Sequence, residues 1–290
     1  MPELRASQTA VLVCQGRAAA HQRLAPGRFA DPTALELLRD EERATVELVR
    51  AGHRPADWNG RVGYEMVARC AEMMVPRTVT IDEALRERRT PQVVILGAGL
   101  DGRAWRMPEL ADSEVYEVDQ PASQQDKRER AGALEGKPPT YVPVDFGRDR
   151  LGDALAACGF QAAQPTTWVW EGVVPYLTRE QATGTVQQVA SLSAAGSRLI
   201  VNYQERSASA LLGRFLVQAM VKFSDRPNPW AAEPWRSAWT PKQMTRLLER
   251  HGFTIVRDDH LRALAAGMMD AETDTDTTSF RSGRVAVADI

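Results

Sequence analysis

Four acidic residues stand where successive apolar runs end: Asp101 beyond Val93 to Leu96, Asp119 after Glu114 to Val118, Asp145 after Thr140 to Val144, and Glu171 after Thr167 to Trp170. Positions just past the carboxyl ends of neighbouring parallel strands converge on one crevice, so the four carboxylates would share it. A glycine loop opens the first unit. Gly97, Gly99 and Gly102 satisfy G-x-G-x-x-G, and Asp119 follows at a dinucleotide fingerprint's spacing.

A pyrophosphate binds such a loop through backbone N–H groups and the positive end of a helix. Asp101 places a negative charge inside the loop and opposes that interaction, unless it turns away to cap the helix. Together with three more carboxylates it suits a phosphate-free ligand carrying hydroxyls, an adenine amine and a positive centre. S-Adenosyl-L-methionine has these groups, and S-adenosyl-L-homocysteine would be its product. On this reading Asp119 accepts from the ribose hydroxyls, and Asp145 accepts from the adenine amine with Phe146 against the ring. Gly97, Ala98 and Gly99 let the backbone approach the methionine portion. Any one of these carboxylates alone reads as a solvated turn residue or an N-cap; the inference rests on the four together.

The elements that must position these residues form an α/β pattern. Strands are expected at Val93–Leu96, Glu114–Val118, Thr140–Val144, Thr167–Trp170, Arg198–Tyr203, Phe253–Arg257 and Arg284–Ala288. Their alternation with helices implies a seven-stranded, mainly parallel, doubly wound sheet. The last two strands are expected as a hairpin-like pair at one edge, joined by polar residues 270–276. Residues 1–90 read as a helical cap, with helices from Thr33 to Arg50, Val62 to Met74 and Asp82 to Arg88. Residues 91–202 form the cofactor-binding core and 241–290 the C-terminal helix and edge strands, within a single domain. Between them, 203–240 reads as an insertion, helical over Leu211 to Val221 and then rich in proline and tryptophan. It leaves from the carboxyl side of a strand and is expected to act as a lid.

The 290 residues carry 36 basic and 38 acidic side chains, a net charge of −2, which leaves no footprint for nucleic acid or an anionic membrane surface. Three dispersed cysteines, Cys14, Cys70 and Cys158, form no metal or disulfide framework and fit a reducing compartment. No secretory signal or membrane span is read, so a cytoplasmic protein without a metal is expected. No feature specifies an oligomeric state.

Several stretches resemble one family in order along most of the chain: Phe29-Ala30-Asp31-Pro32, Pro76 to Asp82, Gln92 to Met107, Tyr116 to Pro121, Val142 to Phe146, Trp170 to Leu177 and Ser193 to Leu199. They are similar to the leucine carboxyl methyltransferase-like branch of the class I, Rossmann-like, S-adenosylmethionine-dependent methyltransferases, which includes bacterial polyketide O-methyltransferases. The resemblance implies that Arg77 binds the cofactor carboxylate, Glu171 lies near its amino end and Asp119 holds the ribose. It also implies that Tyr176 either shapes the transfer site or packs as an aromatic. Gly102 departs from the family, which has Thr there, and its missing side chain is expected to loosen the helix start.

The methyl acceptor is expected to be a small molecule bearing a hydroxyl or carboxyl group, in secondary metabolism, with direct in-line transfer. Tyr176, Tyr203, Gln204, Trp230, Trp235 and Arg236 are candidate acceptor contacts, with Trp239 a further lid aromatic. A carboxylate needs no general base at neutral pH, whereas a hydroxyl gains from one; Tyr203 and His260 are the candidates. His251 reads as a helix-end residue. Trp168 and Trp170 share one face of their strand, either as sheet core or with Trp170 as a cation–π partner of the sulfonium. Alternatives are a protein C-terminal carboxyl methyltransferase, a nicotinamide-dependent oxidoreductase resting on the literal glycine motif, and a scaffold that has lost the cofactor set.

Overall fold

A computed structural model describes residues 7–145, 148–206, 235–268 and 283–290. All seven expected strands form: β1 Gln92–Leu96, β2 Glu114–Asp119, β3 Thr140–Pro143, β4 Thr166–Trp170, β5 Arg198–Gln204, β6 Thr254–His260 and β7 Gly283–Asp289. They make one sheet in the order β3-β2-β1-β4-β5-β7-β6. β1 to β5 are parallel, and β7 runs antiparallel to both β5 and β6. The order reverses between β1 and β4, and a ligand crevice belongs outside the strand ends at that point. Register makes the crevice. Leu96 is level with both Val118 and Trp170, and Asp119 with Pro143, so the glycine loop, Asp119, Asp145 and Glu171 emerge side by side.

The N-terminal part is helical, with α1 Gln8–Ala20, α2 Thr33–Glu36, α3 Asp40–Ala51 and α4 Trp58–Glu87. Two expectations need correction. The helix expected from Thr33 to Arg50 is two helices, because Arg39 is extended and its N–H donates to the Glu42 carboxylate at 2.8 Å, starting α3 with three acids in its first turn. The segments expected at Val62–Met74 and Asp82–Arg88 are parts of one 30-residue helix that runs through Pro76. An interior proline costs about 3 kcal/mol. Burial of Met74, Val75, Val79, Ile81 and Leu85 offsets it. The Thr80 hydroxyl also donates to the Pro76 carbonyl at 2.8 Å.

Among the described residues the remaining α-helices are α5 Arg103–Arg106, α6 Pro121–Arg130, α7 Leu151–Ala157, α8 Arg179–Ser191, α9 Pro241–Arg250 and α10 Leu261–Ala266. His251 does cap α9, with Gly252 following at φ +88°. One sheet face buries Trp168, Trp170, Leu199, Val201, Tyr203 and Phe253 against α7, α8 and α9; the other buries Val93, Ile95, Val169 and Ile200 against α4. Both tryptophans are therefore sheet core, the Trp168 ring lying 5.6 Å from that of Phe160. Among the described residues no helix is long and apolar enough to cross a membrane. The residues expected as lid, Leu211–Val221 and Pro227–Pro234 with Trp230, lie outside the described residues, as do Phe146 and the 270–276 linker.

Candidate active site

A cavity of about 620 Å³ opens at the carboxyl ends of β1, β2 and β4. This lies within the roughly 300–1,000 Å³ range of small-ligand clefts. Gly97, Ala98, Gly99, Asp101, Asp119, Asp145, Glu171 and Arg77 all line it, as do Tyr176 and Arg236. α1 contributes a wall that includes Ala10, Val13 and Arg17. Gly97 and Gly99 adopt φ of +66° and +49°, and a Cβ on Gly97 would lie 2.3 Å from a Val173 methyl. Only glycine fits that turn.

Four of the loop amides, those of Gly97, Ala98, Gly99 and Asp101, are already engaged. Gly97 and Ala98 donate to the Val118 carbonyl at 2.7 and 3.2 Å, and Asp101 donates to the Ala98 carbonyl at 2.9 Å. Gly99 donates to Asp119 Oδ2 at 2.6 Å, and Arg103 donates to Asp101 Oδ1 at 2.7 Å. A pyrophosphate would have to displace two carboxylates from these donors, so the literal glycine motif does not make a phosphate cradle. Asp119 Oδ1 also accepts from Gln120 at 2.7 Å, which fixes a half-buried carboxylate at the cavity edge.

Asp101 does not act as an uncompensated charge, which corrects the electrostatic argument made from it. Its side chain caps the Arg103 amide, and Oδ2 pairs with the Arg103 guanidinium. Burial alone would raise its pKa, but Arg103, with Arg17, Lys127 and Arg106, holds the carboxyl well below the usual range. Glu171 is engaged at both oxygens, Oε1 by Arg77 Nε at 2.6 Å and Oε2 by Arg103 Nη1 at 2.7 Å. Against the burial penalty, Arg103 and Arg77 bring its pKa down to about 2.

These contacts belong to a buried ionic array. Arg103 Nε reaches Asp82 at 2.7 Å, Arg106 grips the same carboxylate at 2.7 and 3.0 Å, and Arg17 joins Asp31 at 3.1 Å and the Leu100 carbonyl at 2.5 Å. Four carboxylates, Asp31, Asp82, Asp101 and Glu171, face four guanidiniums, Arg17, Arg77, Arg103 and Arg106, so the array is formally neutral. Sequence reasoning missed Arg17, Arg103 and Arg106. Carboxylates leaving water in one place need cations nearby, and Asp101-x-Arg103 beside a glycine loop carries that signal.

Four candidate residues do not reach the cavity. Tyr203 shares strand parity with Leu199 and Val201, so it points into the sheet core, where its hydroxyl donates to Asp258 at 2.6 Å. Burial, reinforced by Asp258, pushes that phenol well above its ordinary pKa, the wrong direction for a base. His260 is the N-cap of α10, its Nδ1 accepting from the Arg262 amide at 3.1 Å, and burial lowers its pKa. Gln204 ends β5 opposite Gly283, and half-buried Trp235 stands outside the lining. Gly102 does not loosen the helix start: a Cβ there would lie 1.9 Å from the Thr33 hydroxyl, which occupies that space.

A ligand crevice at the switch point of a seven-stranded, mainly parallel sheet, with a glycine loop and acidic strand ends, is the architecture of the class I S-adenosylmethionine-dependent methyltransferase fold. A crystal structure of a provisionally named methyltransferase from Thermobifida fusca shares the fold, with a TM-score of 0.53 at 16% identity, covering 95% of this chain and 93% of that one. The leucine carboxyl methyltransferase family's sequence profile matches residues 10–190, and the chain belongs to that family. A Mycobacterium marinum protein provisionally named an S-adenosyl-L-methionine-dependent methyltransferase is 34% identical over 221 residues, 74% of this chain and 71% of that protein. A Mycobacterium avium protein of the same name is 48% identical over 113 residues, 38% of this chain and 36% of that protein, so this match spans about a third of the relative's length.

Proposed function

We propose that the protein transfers a methyl group from S-adenosyl-L-methionine to an oxygen of a small-molecule acceptor in secondary metabolism. The observation that carries the cofactor side is the state of the glycine loop: Asp119 accepts from the Gly99 amide and Asp101 from the Arg103 amide at the start of α5, while Asp119 is held half-buried beside a neutral ionic floor. That donor set fits a ligand with a diol and an amino-acid end and no phosphate. Asp119 would hold the ribose and Asp145, with Phe146, the adenine. Glu171 would face the ammonium group. Arg77, whose Nη1 and Nη2 lie beside Gly172, would clamp the carboxylate with its planar fork.

The cofactor supplies a methyl group on a sulfonium centre, ready for in-line displacement. The chain's own contribution is to orient the two reactants and exclude water. Ile95, Leu100, Val173 and Leu177 give the cavity its apolar surface, and Tyr176 and Arg236, which also line it, would contact the acceptor. A carboxylate acceptor, already ionised at neutral pH, would need no general base, whereas a hydroxyl would gain from one. Residues 1–90, 203–240 and 241–290 would serve as cap, lid and edge of a single cytoplasmic domain.

Mass spectrometry of products from a panel of aromatic acids, aliphatic acids and phenols tests the reading. Methyl esters or ethers of small acceptors are expected. Turnover confined to a peptide ending in Leu would make the protein a carboxyl methyltransferase of protein C-termini. A thermal-shift series tests the cofactor: stabilisation by NAD and none by S-adenosyl-L-homocysteine would overturn it.

A further inference from the structure

Arg103 lies beneath the cavity rather than in its lining, with a side chain 1% exposed, and it reaches carboxylates from three separate elements. Asp82 comes from α4, Asp101 from the glycine loop and Glu171 from the end of β4. Two of the three, Asp101 and Glu171, line the cavity. We infer that Arg103 is a positioning residue, which sets the orientation and charge of Glu171 from below and so presents that carboxylate to the amino-acid end of the cofactor. The inference rests on the proposed placement of Glu171 at the ammonium group.

A carboxylate taken out of water tends to bind a proton unless cations and hydrogen bonds compensate it. Glu171 has a side chain 8% exposed, and two guanidiniums divide its oxygens, Arg77 on Oε1 and Arg103 on Oε2. The other charges around it are Arg17 from α1 and Asp101 from the loop, with Asp82 one step behind Arg103. Arg77 is assigned to the cofactor carboxylate and serves two partners; Arg103 serves only the floor. Asp82 holds Arg103 Nε at 2.7 Å, and the Arg106 fork holds Asp82, so the guanidinium is braced on the long helix α4 and cannot follow Glu171 if that side chain turns. One planar group thus ties the loop, the β4 end and α4 into one geometry. An ammonium at the same place keeps the charge but not the fork.

Equilibrium binding of two ligands to the full chain separates positioning from general destabilisation. S-Adenosyl-L-homocysteine carries the amino-acid end; 5′-methylthioadenosine keeps the nucleoside and thioether but lacks it. Arg103→Lys is expected to weaken S-adenosyl-L-homocysteine about tenfold through one lost charge-assisted contact, with 5′-methylthioadenosine changed less than about twofold. An equal loss for both ligands, or none for either, overturns the inference. If Arg103→Lys fails to fold, Asp82→Asn removes the brace while leaving Arg103 in place. The same selective loss, about threefold, is expected, and an unselective one overturns it. Absence of S-adenosyl-L-homocysteine binding by the wild-type chain would instead overturn the cofactor assignment.

Discussion

Gly102 and Thr33 provide a quantitative test of how the N-terminal cap is fitted to the glycine loop. Gly102 has φ −107° and ψ 4°, which alanine can adopt, so Gly102→Ala imposes no backbone strain. The obstacle is the Thr33 hydroxyl, 1.9 Å from the new Cβ. It must retreat by about 1.5 Å to reach ordinary contact, which breaks its 2.8 Å bond to Asp31 Oδ1. Overpacking of this kind costs about 1–3 kcal/mol, against about 0.4–1 kcal/mol returned by the stiffer unfolded chain. Gly102→Ala is therefore expected to destabilise by up to about 2.6 kcal/mol. Thr33→Ala alone loses the hydrogen bond, about 0.5–1.5 kcal/mol. In the double variant the hydroxyl clash is gone and only a tight 3.1 Å approach to the residue 33 Cβ remains, so its cost should fall below the summed single costs by about 1–3 kcal/mol. Urea unfolding at one pH, with unchanged m-values, measures the cycle. Additivity within about 0.5 kcal/mol would refute the steric account.

Asp119→Ala should weaken S-adenosyl-L-homocysteine binding by about 1–3 kcal/mol in calorimetry, by removing a charged acceptor and freeing the Gly99 amide; wild-type affinity would take the ribose role from Asp119. His260→Ala should lose about 1 kcal/mol of stability as an N-cap of α10 without altering cofactor affinity, and a cofactor defect would return it to the site. Burial, with Asp101 and Asp119 in support and the Lys127 ion pair opposed, pushes the Glu117 carboxyl up to about 7. Its folded pKa lies above the unfolded value of about 4.3, so this group's contribution is full below that value and is lost as pH rises towards 7. Glu117→Gln should flatten that decline in urea unfolding measured from pH 4 to about 8, and an unchanged slope would contradict it.

The sheet was legible because its strands are β-branched apolar runs ended by glycine or acid, and their sequential alternation with helices restricts the topology. The site was legible for the same reason: register brings strand ends together wherever the strands themselves are read correctly. The N-terminal helices were harder. Pro76 is a local stop signal, and only the buried face of Met74, Val79 and Ile81 outweighs it. Tyr203 and His260 were placed near the site by chain position, yet strand parity turns one into the core and a cap occupies the other. Arg103 was overlooked because an arginine near a turn resembles a solvated one until its three carboxylate partners are assembled in space.

The uninterrupted course of α4 limits how this chain can diverge. Thirty residues of α-helix form a rod about 45 Å long, packed along its middle against α1 and carrying Arg77 and Asp82 in its last third or so. Each residue added to a helix turns everything beyond it by about 100°. A single insertion between Val62 and Val75 would therefore swing Arg77 away from Glu171 and Asp82 away from Arg103 while leaving every amino acid of the site in place. Substitutions along α4 can accumulate one at a time. Changes of length have to fall in the connections outside it, such as residues 21–32 and 52–57, where they leave the phase of the rod untouched.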